Sequence, residues 1–181
     1  LVGGTAVALQ IGHRESIDFD LFPKKPGSDF QTKKLRRAFE REAIISKVFI
    51  ESDAEFTFMV GDVKVTFYDF EYDVPFTERL RGVIDMPNLL TLAAMKAFAL
   101  GQRAKWKDYA DLYFIMRDHH PFEMIAQHAK SLFCNHFNER LFREQLSYFE
   151  DVSYKEPIVY KPGFEVSDEE VKRFLAEASI L

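Results

Sequence analysis

The sequence has little that could lock a fold chemically. Cys134 is its only cysteine, so no disulfide can form within the chain and nothing points to an oxidising compartment; a cytoplasmic location is expected. A long apolar run is also missing. Leu89 to Leu100 is the most apolar stretch, shorter than the roughly 20 residues a membrane-spanning helix needs, and Lys96 interrupts it. No signal peptide is visible, and because Leu1 stands inside a hydrophobic word, the natural start is expected upstream. Nor is there an excess of positive charge. With 24 Lys and Arg against 29 Asp and Glu, the net charge is −5, which argues against holding nucleic acid by bulk charge and leaves room only for a local basic site. No internal repeat or low-complexity segment occurs.

What is present describes a soluble globular protein. The 181 residues suffice for one ordinary domain, or a compact domain with a small helical appendage; a chain of that size buries roughly 70% of its unfolded surface and needs no structural metal. A hydrophobic fraction of 47% with 29% charged residues excludes a disordered tail, a collagenous repeat and a membrane bundle. Nineteen Phe residues promise an aromatic core.

The periodicity divides the chain near residue 87. Before it, Leu1 and Val2 read as a strand end, Thr5 to Ile11 as a short helix closed by Gly12, and Ser16 to Phe22 as a strand. A turn follows over 23–27, and Ser28 with Gln31 forms a capping box that opens a helix. Ile44 to Glu51, Glu55 to Val60 and Val63 to Phe70 read as an antiparallel meander, with Gly61-Asp62 as a hairpin turn. After Pro87 the period is helical, with helices expected over 88–102, 105–118, 122–134, 138–149 and 167–178, and an extended arm over 152–163. The fold class is therefore α+β: a small mixed or antiparallel sheet with helices over 1–87, then a helical half over 88–181.

Asp18 and Asp20 stand two apart on the predicted strand, so their carboxylates share one face, while Ile17, Phe19 and Leu21 are expected to face the core. Two aligned acids can clamp Mg²⁺ or Mn²⁺, since hard cations of this kind accept one or two carboxylates together with substrate phosphate oxygens. Gly3 and Gly4 allow close approach of the backbone, and the amides opening the next helix point at an anion such as phosphate.

Lys96 lies on a helix that is apolar nearly all round, so its ammonium needs an anion, either a bound phosphate or a neighbouring carboxylate. Arg103 could reach the same cleft. Asp108 and Asp111 are three apart on the next helix, and one of them is expected to hold Lys96 or Arg103. The spacing of His119, His120, His128 and His136 gives no shared metal-ligand face. Cys134 is expected to pack, and Trp106 and Tyr109 are the aromatics that could stack on a base.

An ordered set of short words extends over almost the whole chain: Gly-Gly-Thr-Ala at 3–6, Gly-His-Arg-Glu-Ser at 12–16, Asp-Phe-Asp-Leu-Phe at 18–22, Val-Lys-Val-Thr-Phe at 63–67, Ala-Ala-Met-Lys at 93–96 and Lys-Asp-Tyr-Ala-Asp-Leu-Tyr at 107–113. In this order they resemble the nucleotidyltransferase-like AbiEii/AbiGii toxin proteins, a branch of the polymerase-β-type nucleotidyltransferase superfamily. The resemblance implies transfer of a nucleoside monophosphate from an NTP to a hydroxyl acceptor, RNA or protein, and an antitoxin-like partner. It implies metal at Asp18 and Asp20, triphosphate at Gly3, Gly4 and Thr5, and a basic residue at Lys96 with the acidic pair Asp108 and Asp111. Arg14 and Ser16 stand as supporting residues. One departure goes with it. Enzymes of this superfamily carry a third carboxylate on a neighbouring strand, and that place falls on Thr66, with Asp69 on the opposite face unless a bulge shifts the register. Alongside an active transferase, the sequence therefore implies an alternative: a catalytically weak or inactive nucleotide-binding or partner-binding relative.

Overall fold

The computed structural model describes residues 1–27 and 31–180; the capping box expected at Ser28 lies outside the described residues. It has mixed α+β architecture and divides into two compact units. The first comprises Leu1–Ala6 and Ser16–Pro87, the second Val7–Glu15 and Asn88–Leu181, and the division falls within the first helix, α1 (Gly3–Ile11). Gly12 ends that helix in the left-handed conformation, φ +72°, its amide donating to the Ala8 carbonyl.

The first unit is built on a four-stranded mixed sheet in the order β1-β4-β3-β2. β2 (Ile45–Glu51), β3 (Glu55–Val60) and β4 (Val63–Tyr68) form the antiparallel meander, and the edge strand β1 (Phe19–Leu21) runs parallel to β4. Gly61, at φ +58°, takes the first place of the two-residue turn between β3 and β4, where only glycine is relaxed. One sheet face carries Phe56, Phe58 and Val65, and against them pack Leu35 and Phe39 of α2 (Thr32–Glu42). The Phe39 ring lies edge-on to Phe58 and Phe67, at 5.0 and 5.5 Å. By the alternation of strands, Asp20, Thr66 and Thr57 lie on the other face.

Two expectations are corrected here. The strand over 16–22 shrinks to the three residues of β1, and Ile17 and Phe19 are 60% and 39% exposed instead of facing the core; only Leu21 joins the Phe cluster. β1 is an edge strand, and α2 packs against the strands inside it. The sequence also gave no sign of the small hairpin β5 (Glu78–Leu80) and β6 (Ile84–Met86), turned by Arg81 and Gly82 at positive φ.

The second unit is helical: α3 (Leu89–Leu100), α4 (Trp106–Asp118), α5 (Phe122–Phe133), α6 (Glu139–Ser147) and α7 (Asp168–Ile180), with one 3₁₀ turn over Cys134–His136. Asn88 caps α3 and Asn138 caps α6, each side chain accepting the amide three residues on. The core is Leu92, Tyr109, Leu112, Phe114, Ile125, Phe133, Phe142 and Leu146, all under 2% exposed. The segment between α6 and α7 is an extended arm fastened to its own unit: Ser153 bridges to Lys105, Tyr160 bridges to Arg14, and the Glu15 amide donates to Val159. Among the described residues, no helix is long and apolar enough to cross a membrane.

Candidate functional site

In the first unit the glycine turn and the acidic strand meet. Val2 donates its amide to the Asp20 carbonyl at 2.8 Å, which seats the chain before Gly3 against β1. Gly3 has φ +72°, and a Cβ there would meet the Asp20 carboxylate, with Asp20 Cβ and Cγ each 3.2 Å away. Any side chain at Gly3 would therefore displace the acid. Thr5, buried in the first turn of α1, donates its hydroxyl to the Asp18 carbonyl, and the Ser16 hydroxyl lies 2.8 Å from Thr5 Oγ1. Gly3, Thr5, Ser16, Asp18 and Asp20 thus come together in one unit, and Gly4 follows in the same helical turn.

The Asp18 carboxylate is about one-third exposed. Its Oδ1 accepts the Lys64 amide at 3.3 Å, and its Oδ2 lies 3.2 Å from Lys64 Nζ. Thr66 is the register partner of Asp20, so the residue beside the acid pair on the adjoining strand is a hydroxyl and not an acid. The β3–β4 register runs without a shift, and Asp69 lies beyond β4 with its Oδ1 accepting the Gly27 amide at 3.1 Å. Asp69 does not take the place of a third carboxylate.

Among the described residues, no group of three or more His, Cys, Asp or Glu side chains could hold a metal ion. The two carboxylates suit a hard divalent cation that retains water and completes its shell with substrate phosphate oxygens; they do not suit an ion caged by protein alone. The residues fit such an ion in company with a nucleotide. Asp18 and Asp20 would be its protein ligands, and Lys64 Nζ, 3.2 Å from Asp18 Oδ2, is the cation that such an ion would displace.

The second unit contains a buried ionic cluster. Lys96 of α3 places Nζ 2.7 Å from Asp108 Oδ1 and 2.6 Å from Asp111 Oδ2, so both acids of α4 hold it. Asp111, fully buried, also accepts Arg14 twice, Nε at 2.7 Å and Nη2 at 2.9 Å, and His13 Nε2 at 2.6 Å. Two cations therefore face two carboxylates, with the histidine as a further donor. Burial alone would lower the Lys96 pKa, but attraction to Asp108 and Asp111 outweighs it and the ammonium is held above its ordinary value. For Asp111, burial pushes upward and is overcome by Lys96 and Arg14, leaving the carboxylate well below its usual range. Arg103 is 59% exposed at its side chain, with Nε 3.7 Å from Asp108 Oδ2.

Sequence reasoning found Lys96, Asp108 and Asp111 but missed His13 as a member of the cluster and placed Arg14 only among supporting residues. Their signal was the Gly-His-Arg-Glu-Ser word itself. Two weaker readings are corrected. Trp106 and Tyr109 are 4% and 0% exposed and stack on each other at 6.0 Å, with Trp106 Nε1 donating to Asp168 and the Tyr109 hydroxyl to Gln145; they are core, not a base platform. Cys134, expected to pack, is exposed.

Three comparisons bear on this arrangement. An uncharacterized protein of Aquifex aeolicus (strain VF5) is 29% identical over 184 residues, covering 98% of this chain and 86% of that protein. A crystal structure from H. pylori, provisionally described as a nucleotidyltransferase, aligns with TM-score 0.61 at 18% identity over 99% of this chain and 84% of its own. JHP933 from Helicobacter pylori aligns with TM-score 0.52 at 15% identity over 97% and 79%. At such identities the structural likeness carries the fold alone. Residues 1–177 match the family described as nucleotidyl transferase AbiEii toxin, type IV TA system, and with that match over nearly its whole length the chain belongs to the AbiEii nucleotidyltransferase toxin family.

Proposed function

We propose that the protein transfers a nucleoside monophosphate from an NTP to a hydroxyl of RNA or protein. The observation that carries this is the close seating of Gly3 on the Asp20 carboxylate, next to the helix turn that Thr5 ties to Asp18. In this reading Asp18 and Asp20 hold Mg²⁺ or Mn²⁺, which when bound supplies charge neutralisation at the phosphates. Gly3, Gly4, Thr5 and Ser16 border the triphosphate, and the first amides of α1 donate to it. In the second unit Asp108 and Asp111 orient Lys96, the basic residue of this reading, and Arg103 stands beside Asp108. The acceptor hydroxyl oxygen bonds to the α-phosphorus as the α–β phosphoanhydride bond breaks and pyrophosphate departs, and the hydroxyl proton passes to water. An antitoxin-like protein is the proposed partner.

The experiment is a titration of Mg²⁺-dependent NTP binding in the wild type and in the double variant Asp18→Asn, Asp20→Asn. Loss of binding with an unchanged far-UV spectrum is expected; undiminished affinity sinks the assignment. A second reading has its own observation, the hydroxyl of Thr66 beside Asp20. Loss of a general base typically lowers the rate by about 10² to 10⁴, which would leave a nucleotide-binding relative with little turnover. Incubation with labelled NTPs and a pool of RNA and proteins separates the two: repeated label transfer supports the enzyme, and tight binding without transfer supports the weak or inactive relative.

A further inference from the structure

The chain is acidic as a whole, yet α2 is strongly basic. It carries Lys33, Lys34, Arg36, Arg37 and Arg41 against Glu40 and Glu42. Its apolar residues Leu35 and Phe39 are committed to the sheet, and Arg36 is committed to Glu40 and Glu51, at 2.9 and 2.6 Å. Lys33, Lys34, Arg37 and Arg41 are exposed, and none of the four has an acidic partner among the described residues. The exposed cations of the other helices are treated differently. Arg117 pairs with Asp118, Lys130 with Glu139, Arg140 with Glu144 and Arg173 with Glu170.

Lys33, Arg37 and Arg41 recur every four residues, a slanting stripe with a step of about 6 Å along the helix axis. Like charges at this spacing destabilise an isolated helix, so the stripe is unfavourable until an anion covers it. A groove of about 840 Å³ runs beside it, bordered by Gln31, Thr32 and Ala38 and, on its far side, by Glu51, Ser52 and Asp53. Arg36 neutralises Glu51, so the four cations face one carboxylate without an ion-pair partner among the described residues, Asp53. No aromatic or large aliphatic side chain lines that groove among the described residues. It therefore lacks the apolar anchors that give a protein interface its affinity and the rings that stack single-stranded bases. A phosphodiester backbone asks for neither. It asks for regularly spaced cations and hydrogen-bond donors. The 6 Å step is closer to the spacing of successive phosphates along an A-form strand than to the wider spacing in B-form DNA.

We propose that the exposed stripe Lys33, Lys34, Arg37 and Arg41 is a docking surface for the phosphate backbone of helical RNA. The stripe lies on the α2 side of the sheet, whereas Asp20 and Thr66 lie on the opposite face. An acceptor that uses both must reach around the sheet, which selects a folded RNA over a short oligonucleotide. That the docked RNA is the acceptor rests on the transfer reading above; the docking itself does not.

The test measures binding of a labelled RNA duplex of about 20 base pairs to the full chain across a salt series, without NTP or divalent metal. Four phosphate contacts give a slope of log K against log salt of about −3.6. The variant Lys33→Gln, Lys34→Gln, Arg37→Gln, Arg41→Gln removes a like-charged stripe and keeps good helix formers, so it is expected to fold. Its far-UV spectrum and its NTP affinity, titrated separately with Mg²⁺, check that it does. The expected result is at least about a tenfold loss of RNA affinity at low salt and a slope flattened toward zero. Unchanged affinity and slope overturn the proposal. So does equal binding of a DNA duplex of the same length, or tighter binding of poly-glutamate, which would indicate an acidic protein partner. Failure of NTP binding with RNA binding intact would strike the transfer reading and leave the docking surface standing.

Discussion

At Gly3 the backbone sits at φ +72°, and the atoms nearest to where a side chain would begin belong to Asp20. Gly3→Ala meets both obstacles at once. The left-handed conformation costs about 1–2 kcal/mol for a residue with a Cβ, and the methyl group pushes the Asp20 carboxylate from its place. A lower denaturation midpoint together with weakened Mg²⁺-dependent NTP binding is expected; retention of both would mean that the turn relaxes freely. The approach of Gly3 to the acidic segment could be read from sequence because each has a local signature, a double glycine before a helix and an Asp-x-Asp word, although only Asp20 of the two acids lies on β1. Asp111 was half legible. Its three-residue spacing from Asp108 and its place on an apolar helix pointed to Lys96, but Arg14 and His13 lie 97 and 98 residues away and leave no periodic trace.

Elements with a sustained period were visible in the sequence, and those without it were not. The five helices after Pro87 and the three-strand meander repeat apolar residues often enough to be recognised. The hairpin of β5 and β6 has three residues on each side, too few for alternation to show. Ile17 and Phe19 have the alternation of a buried strand but sit on or before an edge strand that α2 does not cover, so the pattern overstates their burial. α2 illustrates the opposite balance, since its sequence is dominated by charge and its place is set by two apolar residues. Phe39 is half-buried, so Phe39→Ala is expected to cost about 2–3 kcal/mol, below the 3–5 of a fully enclosed ring. Hydrogen exchange should accelerate in α2 more than in β3 and β4; uniform acceleration would show that the helix is held by something other than this ring.

For the molecule as a whole, the ionic cluster sets limits on stability against pH. The Asp111 pKa is depressed in the folded state. Its contribution is present above the ordinary carboxylate value of about 3.9 and is lost as pH falls from there toward the folded value. The Lys96 pKa is raised, so its contribution is present below about 10.4 and is lost as pH rises through the folded value. Urea midpoints should therefore form a plateau across neutral pH with a decline at either end. Asp111→Asn should lower the plateau by about 3–5 kcal/mol, because it leaves buried cations without their partner. It should also make the acid decline shallower, and an unaltered acid limb would show that other carboxylates govern it. The same cluster bears on how the polypeptide can be made and cut. Arg14 leaves the ribosome nearly a hundred residues ahead of the acid that neutralises it, so this part of the molecule cannot close until α4 has been synthesised. A fragment begun at Asn88 would carry Asp108, Asp111 and Lys96 but not the arginine, and would have to fold around a surplus negative charge. No single cut in the gene yields the helical unit as a self-sufficient piece.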